Sequence, residues 1–256
     1  AKFSITDTVS NAYDLAFTGS TNKFGGDTSN DLTFANTGSL TIGKASGASF
    51  DLKGAVTGTA ATAVNLGGLI ETGGAVDLGS STAPISLLGD TTLTTSSANG
   101  AVTLGNSIDL DADATSADLI LNTGTGAVTI EGAVGQRGAL SQFLVNQSSG
   151  SGTATIGTAT QVGSITATTI GLAGATLKGS ATLKGDTITL TGTLGSDATD
   201  RSNTLTLLSL TNGDAIALGS GTATDLSQIA GHFSEVVIGS ANPAERGNVT
   251  IDATSG

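Results

Sequence analysis

Triplets of the form apolar, polar, apolar recur along the chain, each set off by glycine. Phe50-Asp51-Leu52, Val76-Asp77-Leu78, Val102-Thr103-Leu104, Val128-Thr129-Ile130 and Ala154-Thr155-Ile156 follow one another at 26-residue intervals. Gly74-Ala75, Gly100-Ala101, Gly126-Ala127 and Gly152-Thr153 stand just before their triplets, and Gly79, Gly105, Gly132 and Gly157 just after. In an extended chain successive side chains point to opposite faces. Each triplet is therefore predicted to be a short strand with aliphatic ends facing in and Asp51, Asp77, Thr103, Thr129 and Thr155 facing out.

A fixed period of this length is the mark of a repeat architecture. Two more apolar clusters fall within a period, as Ile108-Asp109-Leu110 and Leu119-Ile120-Leu121 do between the third and fourth triplets. The fold class predicted is all-β, a parallel β-solenoid or β-helix with about 26 residues per coil and three short strands in each. Coils stacked at the strand spacing of about 4.8 Å would number roughly ten and form a rod about 45–50 Å long. Leu52, Leu78, Leu104, Ile130 and Ile156 are expected to stack as one internal ladder.

Past residue 160 the period drifts through the crowded Leu177, Leu183, Ile188 and Leu190. Ile216-Ala217-Leu218, one period beyond Leu190, is read as its return, followed by Val236-Val237-Ile238 and Val249-Thr250-Ile251. Before residue 50, short strands (Phe3-Ser4-Ile5, Leu15-Ala16-Phe17, Leu32-Thr33-Phe34, Leu40-Thr41-Ile42) follow without clear register. The chain thus divides into 1–49, an irregular β region or N-terminal cap continuous with the solenoid, and 50–256, the solenoid repeats. The one helix signal, Asp225 to Gly231, allows a single turn.

Composition narrows the class further. Disordered chains are poor in aliphatics, whereas this one is 38% hydrophobic despite its 38 glycines, so it has apolar surface to bury. Only 3% of residues are aromatic, which fits a thin aliphatic core better than a broad globular one. Five of the seven Phe lie in the first fifty residues (Phe3, Phe17, Phe24, Phe34, Phe50), which marks that part as wider or as a cap. A net charge of −12 with only 9 Lys and Arg argues against nucleic-acid binding. With no cysteine there is no disulfide framework and no thiolate site. No apolar run is long enough to span a bilayer, so no membrane insertion is expected. The start at Ala1-Lys2-Phe3-Ser4 and the end at Thr254-Ser255-Gly256 read as cuts within a longer chain.

The segment Ala117-Asp118-Leu119-Ile120-Leu121-Asn122-Thr123-Gly124-Thr125-Gly126-Ala127-Val128-Thr129-Ile130-Glu131-Gly132-Ala133-Val134-Gly135 resembles the repeat unit of giant bacterial surface adhesins, the filamentous-haemagglutinin-like and β-strand-repeat proteins. Asp225-Leu226 through Gly231-His232-Phe233-Ser234-Glu235-Val236-Val237-Ile238-Gly239, with Gly247-Asn248-Val249-Thr250-Ile251 behind it, is similar to a recurring element of the same chains. The resemblance runs from about residue 50 to the end. It implies a right-handed parallel β-helix, secretion, and adhesion or matrix building. The Asn-Pro-Asn signature of that family's two-partner secretion domain is not matched, since Asn242-Pro243 is followed by Ala244.

Candidate chemistry is sparse. His232 is the only histidine, so a catalytic triad or a multi-histidine metal site would have to use it; it reads as a polar residue beside a turn. Asp109, Asp111 and Asp113 alternate with Leu110 and Ala112 and are expected to share one outward face, a candidate calcium row of oxygen ligands. Arg137, one period after Asp111, would stack beside it and could pair with it instead. Gly25-Gly26-Asp27 lacks the alternating glycines of a calcium-binding nonapeptide. Outward Thr103, Thr129 and Thr155 would form a threonine row of the kind that water-ordering solenoids use, although Thr also simply suits strand surfaces. Asn146-Gln147-Ser148 and Asn248-Val249-Thr250 have the form of glycosylation sequons.

These observations predict a non-enzymatic structural or adhesive segment of a secreted bacterial cell-surface or extracellular-matrix protein, with no cofactor. Its expected partners are copies of itself, assembled into fibres, or surface glycans. The alternative is a polysaccharide-binding or polysaccharide-cleaving β-helix, which would need carboxylates gathered in one groove.

Overall fold

The computed structural model describes residues 3–6, 12–24, 31–59, 61–79, 84–147, 151–158, 161–197, 202–211, 216–218, 228–229, 233–239 and 249–251. Among them the chain is all-β, and the strands are stacked in parallel as a β-solenoid with about 24 residues between successive rungs. Three walls enclose the core. The first wall is a sheet of nine strands, whose members include Leu32–Ala35, Val56–Thr57, Val76–Leu78, Val102–Leu104, Val128–Ile130, Ala154–Ile156, Ala175–Leu177 and Leu194–Ser196. Nine strands at about 4.8 Å spacing make this wall about 38 Å long.

The second and third walls belong to one 14-stranded sheet folded along its length. Several strands pass through both. Ala63–Thr72 turns the corner at Gly67-Gly68, and Ile85–Thr94 does so at 88–90, where the pairing register shifts. Gly68 has φ of 81°, and a Cβ there would collide with the Ala48 carbonyl of the preceding coil, so this bend requires glycine.

Inward positions form three aliphatic ladders. On the first wall, Leu78, Leu104, Ile130, Ile156 and Leu177 are consecutive rungs, all buried. On the second, Leu40, Val64, Ile85, Ile108, Val134, Ile165, Leu183 and Leu207 follow in order. On the third, Phe50, Ile70, Leu93, Leu121, Val145, Leu172 and Leu190 do so. Thin walls of Val, Ile and Leu fill the interior because each side chain packs on its counterpart one rung away as well as across the coil. Near the N-terminal end four phenylalanines take over the filling: Phe17, Phe24, Phe34 and Phe50 meet at ring-centroid separations of 5.2–5.9 Å.

The 26-residue period holds from Val76 to Ile156 and fails on both sides of that stretch. Phe50–Leu52 does not stack under Val76–Leu78. It lies in the third wall, paired with Asn22–Phe24 and with Leu69–Thr72, and the rung beneath Val76 is Val56. The internal ladder therefore loses Leu52 and gains Leu177. Likewise Leu190 pairs with Leu172, while Ile216–Leu218 pairs with Val249–Ile251 in a separate two-stranded sheet. The cause is physical: an apolar, polar, apolar triplet bounded by glycine looks the same on every wall, and corner loops of different length let coils shrink or grow without disturbing the hydrogen-bonded rungs. Residues 15–17 and 39–42 stack in the same sheet as the later coils, through Leu15 on Leu40 and Leu40 on Val64.

One corner recurs with particular regularity. Where the third wall turns back to the first, Thr72 donates to the Gly74 carbonyl (2.8 Å), Thr95 to Gly100 (2.5 Å) and Thr123 to Gly126 (2.5 Å), and Asn146 Nδ2 donates to Gly152 (2.7 Å). All four side chains are buried. The glycines that precede the first-wall strands are thus pinned from inside by a stack of hydroxyl and amide donors. Of the expected helical turn at Asp225–Gly231, only Gln228 and Ile229 lie within the described residues, and Ile229 makes a parallel bridge to Leu194.

Candidate functional site

The outer surface is a regular ladder of strand positions, small and polar on the first wall and including Leu69, Ile120 and Leu144 on the third. The chain departs from it most at the corner between the second and third walls. There the turn at 88–90 is followed one coil later by the loop 111–117, and one coil later again by 135–139. The loops exist because Leu110 pairs with Leu87 while Leu119 pairs with Thr91, so the residues between have no partners in the ladder below.

This corner collects most of the candidate chemistry, although not in the expected arrangement. Asp109, Asp111 and Asp113 do not share a face. Alternation stops with the strand at Leu110, and the chain turns at once, with Ala114 N–H donating to the Asp111 carbonyl (3.0 Å). Asp109 is buried at 5% exposure and its Oδ1 accepts the Arg137 backbone N–H at 2.8 Å. Asp111 Oδ1 accepts the Asp113 N–H at 3.1 Å, and Asp113 is exposed. A turn and a loop clasp, not a row of ligands, are what these carboxylates build, and among the described residues no group of three or more His, Cys, Asp or Glu side chains is placed to hold a metal ion.

The expected pairing of Arg137 with Asp111 is not formed: no ion pair within 4 Å joins them, and the Arg137 backbone N–H is held by Asp109. The ion pairs among the described residues are Lys23–Asp51, Lys53–Asp51 and Lys178–Asp197. Instead Arg137 and Asp111 line a shared hollow of about 410 Å³, with Ser86, Leu110, Ala112, Ala114 and Gly138. Where the loop 111–117 rejoins the third wall, Asp118 N–H donates to Asp90 Oδ1 (3.1 Å), and Asp118 Oδ2 accepts from Gln142 Nε2 (2.9 Å). Partial burial and then the neighbouring Asp90 charge push the Asp118 carboxyl up, against the opposing Gln142 hydrogen bond.

Ser86, Asp90, Asp118 and Gln142 could not be found from the repeat because none follows its period. Ser86 lies against Asp109, and Asp118 against Gln142, each pair somewhat closer along the chain than one period. The usable signal is the run 111–117 itself, an insertion of small and polar residues between two apolar clusters.

The threonine row is longer than three members. The outward rungs of the first wall run Thr33, Thr57, Asp77, Thr103, Thr129, Thr155 and Thr176, and Asp51, expected among them, lies on the third wall. Of the sequon residues, Asn146 is buried at 3% exposure with its amide engaged by Thr123 and Gly152, which removes it as an acceptor for a glycan. Ser148, Asn248, Gly25-Gly26-Asp27 and His232 lie outside the described residues.

No family model, curated protein or solved structure matches this chain. Among the described residues no helix is long and apolar enough to cross a membrane.

Proposed function

We propose that the chain is a structural and adhesive segment of a secreted bacterial cell-surface or extracellular-matrix protein, non-enzymatic in itself. The observation that supports this reading is the unbroken stacking of parallel rungs along a filled interior. A core made of three aliphatic ladders commits most of the large aliphatic side chains to holding the rod, and leaves the outer surface as the place for contacts. The resemblance of 117–135 to adhesin repeats gives the same role from the side of sequence.

A solenoid is quasi-one-dimensional, each coil touching only its neighbours, so a rod can be lengthened by adding coils and can space binding surfaces away from a cell. Strand edges at its ends can template further strands, which extends the proposal to fibres built from copies of the chain. Two measurements test it. Electron microscopy of the purified chain over a range of salt and calcium should show filaments, and only dispersed monomers under every condition would overturn the fibre part. Beads coated with the chain should adhere to bacterial or host cells, and beads no stickier than albumin-coated controls would overturn the adhesive part.

A further inference from the structure

The hollow at the loop corner gathers a serine, an arginine and an aspartate around Leu110 and two alanines. Ser86 Oγ, the Arg137 guanidinium and Asp111 Oδ2 all line it or belong to lining residues, and none has a hydrogen bond or ion pair with another described residue. The remaining lining is Leu110, Ala112, Ala114 and Gly138, with Leu110 only partly buried. A volume of about 410 Å³, walls that are polar and apolar in about equal measure, and polar atoms of three side chains left without partners suit a small ligand that is itself part polar and part apolar.

The polar groups also define what fits. Arg137 can only donate, ionised Asp111 can only accept, and Ser86 can do both. An anionic ligand would satisfy Arg137 but meet Asp111 and a chain of net charge −12; a cationic one would meet Arg137. A neutral polyol satisfies all three, since each of its hydroxyls donates and accepts, and the C–H face of a sugar ring can lie on Leu110 and the two alanines. We infer that this hollow is a subsite for a neutral hexose unit of a glycan. The inference supplies a ligand class for the adhesive reading above and rests on it. The subsite is a binding site and not a catalytic one, because Asp111 is the only carboxylate among the described residues that line the hollow, whereas glycoside hydrolysis employs two.

The test is an array of neutral hexose-containing oligosaccharides printed beside sialylated and sulfated ones, probed with the 256-residue chain and with Arg137→Gln and Asp111→Asn, each checked for unchanged circular dichroism and thermal unfolding. Binding to neutral glycans that falls at least tenfold in both variants is the expected result. A blank array, a signal confined to the charged glycans, or neutral binding unchanged in both variants would overturn the subsite. A blank array with coated beads that still adhere to cells would sink the subsite and leave the adhesive reading standing. An array signal lost in both variants, with beads that bind no cell, would support the subsite and remove the adhesive reading.

Discussion

Asp186 holds Thr211 of the next coil by two separate hydrogen bonds: Oδ1 accepts its backbone N–H at 2.7 Å and Oδ2 its hydroxyl at 2.7 Å. The same carboxylate accepts Leu210 N–H (2.9 Å) and the Ser209 hydroxyl (3.1 Å), so one side chain closes an entire turn after the Asn203–Leu208 strand. Partial burial pushes the Asp186 carboxyl up, but the hydrogen bonds from Thr211, Ser209 and Leu210 outweigh it and hold the group below the usual aspartate range. A depressed folded-state pKa means stability that is present above the unfolded value of about 3.9 and is lost as pH falls through the folded value. Asp186→Ala is expected to lower stability by about 1.5–3 kcal/mol at neutral pH, and Asp186→Asn by less, read from urea midpoints. The deficit of Asp186→Ala relative to wild type should shrink below about pH 4.

Asp118 carries the opposite sign. Its raised carboxyl means that the ionised form is disfavoured in the folded chain, so stability contributed by its proton is present below about pH 4 and is lost as pH rises through the folded value. Asp118→Asn keeps an acceptor for Gln142 and removes the repulsion from Asp90. It should raise the neutral-pH melting temperature by about 1–3 °C, a small effect because the pair is partly solvated. A lower melting temperature at neutral pH would contradict the account of this corner.

Asn146 combines a left-handed backbone, φ of 53°, with three buried hydrogen bonds: Oδ1 accepts Thr123 N–H (2.7 Å), and Nδ2 donates to Thr123 Oγ1 (3.0 Å) and to the Gly152 carbonyl (2.7 Å). Asn146→Ala retains the strain and strands the partners, at a cost of about 2–4 kcal/mol. Asn146→Gly strands the same partners but relieves the backbone, so it should be the milder of the two by up to about 1 kcal/mol. Chemical denaturation of the pair separates the two contributions, and equal losses would assign the whole effect to the hydrogen bonds.

Neighbours on one strand should behave as opposites. Leu104 is fully buried between Leu78 and Ile130, whereas Thr103 between Asp77 and Thr129 faces out and is partly exposed. Leu104→Ala is expected to cost about 2–5 kcal/mol, and Leu104→Asp to prevent folding of the central coils by burying an unpaired charge. Thr103→Ala should cost less than about 1 kcal/mol. Circular dichroism melts of the three variants check the wall's inside and outside directly.

Local pattern was enough for the class of fold and for the inner and outer faces of the strands. Side-chain alternation needs no partner, so Val102-Thr103-Leu104 declares its two faces without knowledge of any neighbour, and glycine spacing marks the corners. Which strand stacks on which emerged from three-dimensional packing alone. Phe50-Asp51-Leu52 fits the 26-residue count yet belongs to another wall, because a rung is chosen by backbone hydrogen bonds and core packing that tolerate coils of unequal length, short between Ile165 and Leu183 and long between Val134 and Ile165. The candidate site shows the same division. Asp109, Asp111, Asp113 and Arg137 were legible as charged residues close in register, but a loop has no period to extrapolate. Where the ladder ends at Leu110, a predicted row of ligands becomes a turn, a clasp on Arg137 and one wall of a hollow that Ser86 completes from the coil before.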